Sequence, residues 1–349
     1  VDPNDSLPPP EPRKPMKVAL ALQGGGSHGA FTWGVLDRML EAEWLDIEGI
    51  SGTSAGAMNA AVLAHGLATG GRSEARAALA EFWDKVSRAA AWSPFQRSPW
   101  DRLTGSWTLD NSPAYLAADM MARMVSPYAF PFSDFNPLRD ILVEMIDFDA
   151  LARGPVKLFI TATNVRTGRG RVFRNAEITA DVLLASACLP TLYRAVEIDG
   201  ESYWDGGFSG NPTITPLVTD CAARDVVLVQ INPVDRPDIP TDARDIQSRL
   251  NEISFNATLL KELRMMAILR RVVDAGEGEG KVWARMRMHR IASDLMVTLG
   301  ASSKLNAERD FLDMLRTEGR ATTARFAADH REDIGKRSTF DIDSIIGEC

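Results

Sequence analysis

Two apolar segments that each run directly into a glycine-rich turn constrain this chain most, and both lie between Val18 and Ala61. Val18 to Leu22 is wholly apolar and reads as a buried strand, with Gly24-Gly25-Gly26 just beyond it. Phe31, Val35, Leu36, Met39 and Leu40 then recur at helical spacing. A second strand ends in Gly52-Thr53-Ser54-Ala55-Gly56, and a helix of small residues begins at once. This alternation predicts an α/β fold, and in an open α/β sheet ligands bind beyond the carboxyl ends of the strands.

Each turn has a chemical reading. Gly52-x-Ser54-x-Gly56 fits a nucleophile elbow, in which the serine sits on a tight strand-to-helix turn and Gly52 and Gly56 let strand and helix approach closely. The helix that follows would turn its positive end toward the hydroxyl. The glycine triplet would offer bare backbone N–H groups to an oxyanion. Each turn has a plainer reading as well. A G-x-S-x-G match arises by chance in roughly one chain in ten of this length. Gly24-x-Gly26-x-x-Gly29 after a strand also matches the dinucleotide fingerprint, which asks for an acidic residue at the end of the second strand. Asp46 and Glu48 lie near that place, but the strand runs past them into the serine turn, so the nucleotide reading ranks below the hydrolase reading.

A third segment separates the two. Asp205-Gly206-Gly207 follows Tyr203-Trp204 and a turn at Asp199-Gly200, which puts Asp205 at a strand end. By itself Asp-Gly-Gly is only a turn. All three matches in one chain are expected on the order of once in a thousand on average composition. With Gly24-Gly25-Gly26-Ser27-His28-Gly29, Gly52-Thr53-Ser54-Ala55-Gly56, Asp205-Gly206-Gly207, Ala185-Ser186-Ala187-Cys188-Leu189-Pro190 and Asn211-Pro212, the sequence resembles the patatin-like phospholipase family from Val18 to Pro233.

The resemblance implies a layered α/β/α fold with a central, mostly parallel sheet. It implies a serine lipid acyl hydrolase in which Ser54 and Asp205 form a dyad. Asp205 takes the proton of Ser54, Ser54 attacks an ester carbonyl, and water activated by Asp205 then releases the fatty acid from the acyl-enzyme. Gly24, Gly25, Gly26, Ser27, His28 and Gly29 would form the oxyanion hole, and Gly206 and Gly207 would let the backbone turn at Asp205. A free carboxylate, with a reference pKa near 4, is a weak base that burial strengthens. One residue departs from the family pattern: His28 stands where Arg or Lys is usual, and it carries charge only when protonated.

A serine nucleophile more often uses a histidine held by a carboxylate. The order Ser54, Asp205, His289 fits an α/β-hydrolase triad, the alternative to the dyad. Against it, Arg287 to Ile291 reads as mid-strand, where a lone histidine is more often structural. His65 lies eleven residues past Ser54, about three helical turns away, and His330 reads as solvated in a charged terminal helix.

At 349 residues and 45% hydrophobic content the chain can build one large α/β domain or two small ones around a sizeable core. A net charge of −8 argues against a general nucleic-acid binder. No apolar run reaches membrane-spanning length, and the polar, Pro-rich start lacks a signal-peptide core. A first residue of Val reads as a start inside a longer chain. Cys188, Cys221 and Cys349 lack metal-ligand spacing and fit a reducing compartment, and no calcium loop is apparent, so neither metal nor other cofactor is expected. The expected partner is a lipid or other acyl-ester substrate, with transient membrane-surface contact, no nucleic acid, a cytoplasmic setting peripheral to the membrane, and an oligomeric state left open.

The expected organisation is a disordered Pro-rich tail over 1–15, a hydrolase domain over 16–335 and a tail over 336–349. Residues 92–137 carry Trp92, Phe95, Trp100, Trp107, Tyr115, Tyr128, Phe130, Phe132 and Phe135 between prolines. They read either as loops packing aromatics onto the core or, the preferred reading, as a wall or lid of an acyl pocket that the upstream serine needs. Further strands are expected at 156–165, 171–174, 196–198, 202–204, 226–231 and 282–291, and helices at 72–91, 178–188, 213–223, 246–274 and 311–333. The 246–274 helix puts Leu259, Leu263, Met266, Leu269 and Val273 on one face, joined by Arg270, with Lys261, Arg264 and Arg271 off it. A basic amphipathic helix can lie on a membrane, but one that covers a sheet is the preferred reading. Residues 276–280 read as an acidic, glycine-rich loop.

Overall fold

Successive residues of the strand Met16–Leu22 (β1) enter two different cores: Val18, Leu20 and Leu22 face one, Ala19 and Ala21 the other. A strand buried on both faces needs helices on both faces, which is why its sequence runs apolar without alternation. The computed structural model describes residues 15–129, 136–272 and 280–344. Nearly all of the 1–15 tail, Phe130, Phe132, Phe135, Val273, most of the 276–280 loop and Cys349 lie outside the described residues.

Among the described residues one sheet contains eight strands: β1, Leu45–Gly52 (β2), Lys157–Asn164 (β3), Gly170–Arg174 (β4), Val196–Ile198 (β5), Glu201–Asp205 (β6), Asp225–Val229 (β7) and Arg287–Ile291 (β8). β3, β2, β1, β7 and β8 are parallel neighbours in that order, while β4, β5 and β6 are antiparallel additions. The helices are Gly29–Leu40 (α1), Ala55–Ala91 (α2), Pro99–Thr104 (α3), Pro113–Met124 (α4), Pro137–Met145 (α5), Phe148–Ala152 (α6), Ala180–Ser186 (α7), Thr215–Asp220 (α8), Ala243–Val272 (α9), Gly280–Ala284 (α10), Leu295–Thr298 (α11) and Arg309–His330 (α12). α1, α2 and α12 cover one face of the sheet, and α8 and α9 the other. The fold is thus the layered, mostly parallel α/β/α arrangement. α2 bends at Gly71 (φ 72°), so the small-residue helix and the 72–91 helix are two arms of one element.

α9 buries Leu259, Leu263 and Met266 against the sheet, as a covering helix does. The single strand expected over 282–291 is two elements, α10 and then β8. β7 begins at Asp225, opposite Arg287, so residues before Arg287 have no strand to pair with and close their hydrogen bonds locally. The chain also stays packed past 335: Ile342 is fully buried, and the Phe340 N–H donates to Met288 O.

The register of β3 sets up the candidate site. β4 runs along one edge of β3. On the other edge β2 pairs with Lys157–Ile160 and then gives way to β6, which pairs with Ala162–Asn164. Gly52 therefore stands opposite Ile160, and Asp205 opposite Ala162, two residues or about 7 Å along the same edge. Both strand ends open onto one gap.

Candidate active site

Ser54 occupies that gap with φ 54° and ψ −122°, a left-handed conformation costly for any residue with a side chain. The tightness of the turn forces it. A Cβ on Gly56 would sit 2.3 Å from Leu22 O, and one on Gly24 would sit 2.6 Å from the Ser54 Cβ. Only glycine at 24 and 56 lets β1, the elbow and α2 approach so closely. The Ser54 N–H donates to Ser186 Oγ (2.9 Å), and Thr53 Oγ1 donates to Gly210 O (2.6 Å), so the elbow is tied to α7 and to the loop after β6.

Asp205 is 2% exposed. Its Oδ1 accepts the Gly207 N–H at 2.7 Å, and its carboxylate is hydrogen-bonded by the Ser54 side chain. Burial pushes the carboxyl up to about 7, against the opposing pull of those two donors. Asp205 N–H donates to Cys188 O (2.8 Å), and Asp205 O accepts from Thr163 Oγ1 (2.8 Å), so the backbone carrying the carboxylate is held on both sides. A carboxylate with these properties can take a hydroxyl proton near neutral pH. The structure thus brings Ser54, Asp205, Gly52, Gly56, Gly206 and Gly207 together.

The glycine loop is narrower as a donor set than the expected Gly24–Gly29. Gly24 N–H is already committed to Asn211 Oδ1 (2.7 Å), His28 N–H to Gly25 O (3.2 Å), and Gly29 N–H to Gly26 and Ser27 carbonyls. For the Gly25, Gly26 and Ser27 N–H groups no acceptor is found among the described residues, and Gly26 and Ser27 border a cavity beside Ser54. His28 does not supply charge. It is buried, and burial together with the Lys304 and Arg236 charges holds its imidazole well below the ordinary range. Ser303 Oγ donates to Gly300 O (2.6 Å) and so accepts from His28 Nε2 (2.7 Å), which fixes a neutral Nε2–H tautomer.

A cavity of about 580 Å³ opens beside Ser54 and Gly26. Its apolar walls are Met58, Phe82, Trp83 and Val86 of α2, with Leu184, Leu189 and Leu192 of α7 and the segment after it. The wall expected over 92–137 lies partly outside the described residues, Phe130, Phe132 and Phe135 among them. Of residues 92–137 only Asn136 borders the cavity among the described residues, while Trp92 (94%) and Trp100 (63%) are exposed. The aromatics Trp107 and Phe95 pack on Phe311 and Tyr115 instead.

A family model described as patatin-like phospholipase matches residues 20–218, more than half of the chain. The chain belongs to the patatin-like phospholipase family. A stretch of 48 residues is 46% identical to the uncharacterized protein YjjU of Escherichia coli K12, and covers 14% of this chain and 13% of that protein. VipD from Legionella pneumophila is similar over 91% of this chain and 67% of its own, at 13% identity and a TM-score of 0.41. ExoU in complex with SpcU, from the type III secretion system of Pseudomonas aeruginosa, is similar over 96% and 66%, at 17% identity and a TM-score of 0.26. Neither likeness carries an assignment to this chain.

The two alternatives to the patatin-like reading do not assemble. His289 lies in β8, fully buried, with Nε2 on Asp225 Oδ1 (3.0 Å) and Nδ1 on Thr339 Oγ1 (3.0 Å). His289 pairs with Val227 and so lies level with Leu20 of β1, and β7 and β1 separate β8 from β2, three strand spacings or about 14 Å from the strand that leads into the elbow. Burial alone would raise the Asp225 carboxyl, but Arg287, His289 and the Gly335 N–H outweigh it and hold the carboxyl far below the usual carboxylate range. His289 serves that cluster. His289→Gln is expected to lower stability by about 1–3 kcal/mol in urea melts and leave ester turnover unchanged. The nucleotide reading fails on its acids: Glu48 lies mid-strand in β2, bound to the Ala222 and Ala223 N–H groups (2.8 Å each), and Asp46 stands opposite Lys17 near the start of β1, away from the glycine turn. His65 lies along α2, and His330 bonds Asp333 (3.2 Å) in a partly exposed pair. Among the described residues no cluster of ligating side chains suited to a metal occurs, and no helix is long and apolar enough to cross a membrane.

Gln23, Asn232 and Lys304, which sequence reasoning missed, hold the patatin-like glycine loop together with Asn211. Gln23 Oε1 accepts the Ile231 and Asn232 N–H groups (2.9 Å each), Asn232 Nδ2 donates to Gly24 O (2.7 Å), Asn211 holds Gly24 from the other side, and Lys304 borders the cavity. Asn211 sits in a run that resembles the family, which was its only signal. Gln23, Asn232 and Lys304 carry none, being single polar residues outside any motif.

Proposed function

We propose that the chain is a serine lipid acyl hydrolase, cleaving carboxylic esters of phospholipids or related acyl lipids through a Ser54–Asp205 dyad. One observation carries this reading: a buried carboxyl, raised to about 7, is hydrogen-bonded to a hydroxyl on a strained elbow at the mouth of an apolar cavity. Family membership supports lipid esters as the substrate class.

In this mechanism the ionised Asp205 accepts the Ser54 proton as Oγ attacks the ester carbonyl. The tetrahedral oxyanion is met by the Gly25 and Gly26 N–H groups. Asp205 returns the proton to the leaving alkoxide, and the acyl group stays on Ser54. Water then repeats the sequence: Asp205 takes its proton as the water oxygen attacks the acyl-serine, and Asp205 returns that proton to Ser54 Oγ as the fatty acid departs. The α2 and α7 walls hold the acyl chain, and contact with the lipid surface is transient. Residues 16–335, with the packed segment to Ile342, form the hydrolase body.

The sign of the pH dependence follows from the base. Activity needs Asp205 ionised, so kcat/KM for a short-chain p-nitrophenyl ester should rise with pH, with a midpoint near 7, and level off above it. Fatty-acid release from phosphatidylcholine vesicles should follow the same curve. A profile flat between pH 5 and 9 would contradict an Asp205 base.

A further inference from the structure

The loop between α11 and α12 reaches the glycine loop from far along the chain. The turn Ala301–Leu305 presses its backbone onto Gly26, where a Cβ would sit 2.3 Å from Lys304 O. The Lys304 side chain borders the cavity beside Ser54 and Gly26, and its Nζ donates to Asn232 Oδ1 at 2.8 Å. Asn232 in turn donates from Nδ2 to Gly24 O (2.7 Å), and its own N–H is fixed on Gln23 Oε1 (2.9 Å). Gly24 C=O and Gly25 N–H belong to one planar peptide and point opposite ways. Holding the carbonyl on Asn232 therefore aims the Gly25 N–H to the other side of the loop. Any positive charge drawing electrons along this chain strengthens that N–H as a donor.

The geometry points to Lys304 as a positioning residue that, through Asn232, orients and polarises the Gly24–Gly25 peptide for the oxyanion. The inference rests on the hydrolase reading above. The neutral His28 leaves this ammonium as the cation against the loop. Its nearest charged surroundings are the Arg236–Glu252 ion pair (2.5 Å), whose Arg236 opposes the Lys304 charge and whose Glu252 favours it, while burial lowers its affinity for the proton.

Lys304→Met keeps the apolar stem and removes the charge. For a short, uncharged p-nitrophenyl ester, kcat should fall on the order of 10- to 100-fold with KM changed less than about 3-fold, the pattern of an interaction made in the transition state. In Lys304→Ala, added ethylammonium should restore part of kcat and ethanol should not. An unchanged kcat, a rise in KM alone, or a kcat loss that ethylammonium does not relieve would overturn the proposal. Should Lys304→Met not fold, Lys304→Gln takes its place, and a wild-type kcat there overturns the proposal equally. Wild type and Ser54→Ala run alongside. If wild type does not hydrolyse the ester, or Ser54→Ala does, the hydrolase reading itself has failed and Lys304 falls with it. If that control behaves and only Lys304→Met matches wild type, the Lys304 proposal alone is wrong.

Discussion

Ser54→Ala is expected to lose ester hydrolysis by about 10⁴-fold or more and to stay folded. Alanine keeps the Cβ, so the strained φ of 54° persists, and the Ser186 tie to the backbone N–H is untouched. What disappears is the attacking oxygen and one of the two donors that stabilise ionised Asp205. The remaining carboxyl should hold its proton more tightly still. Ser54→Gly supplies the control. It is equally inactive but escapes the backbone strain, and should be the more stable of the two by roughly 1 kcal/mol. An alanine variant that retained more than a few per cent of turnover would remove Ser54 from the chemistry.

Asp205→Asn is expected to lower kcat by about 10³–10⁴-fold, since it removes the base and nearly nothing else. The amide oxygen can still accept the Gly207 N–H, so the turn should survive. Stability supplies a second signature. The folded carboxyl titrates near 7 and the unfolded one near 4, so between those values the folded state binds the extra proton. The contribution is full below pH 4, falls as pH rises, and above 7 is lower by on the order of 4 kcal/mol. Asparagine cannot ionise. Urea melts at pH 5 and pH 8 should therefore show the variant gaining on wild type at the higher pH. An identical pH dependence in the two proteins would mean Asp205 is not a buried acid with a raised pKa.

The parts of the site legible in the sequence were those where geometry leaves one residue choice. A strand that must turn within a few residues against another backbone admits only glycine, so the turns around Gly24, Gly52, Gly56 and Asp205-Gly206-Gly207 are visible as strings. The alternation of strand and helix was legible for a similar reason, because burial on two faces writes apolar runs such as Val18–Leu22. The handover of one edge of β3 from β2 to β6, which brings residues 52 and 205 to one gap, depends on register between distant segments and leaves no local mark. The described pocket wall is hard to read from sequence because it is spread over α2, α7 and the segment after α7 as single residues such as Met58, Phe82, Trp83, Leu184 and Leu192, whereas the aromatics of 92–137 stand together as one conspicuous run. His28 reads as a source of charge from its position in the motif, but burial against Ser303 and Phe311, together with the Lys304 and Arg236 charges, holds it neutral, and none of these partners is visible locally. Lys304 and Asn232 act through contacts with residues far away in sequence, where spacing says nothing.

Treating the protein with a fluorophosphonate, digesting it and locating the adduct by mass spectrometry tests the hydroxyl–carboxylate pair most directly. The adduct should fall on Ser54 alone, form faster at pH 8 than at pH 6, and slow by orders of magnitude in Asp205→Asn. An adduct on another residue, or a labelling rate in Asp205→Asn equal to wild type, would contradict the account.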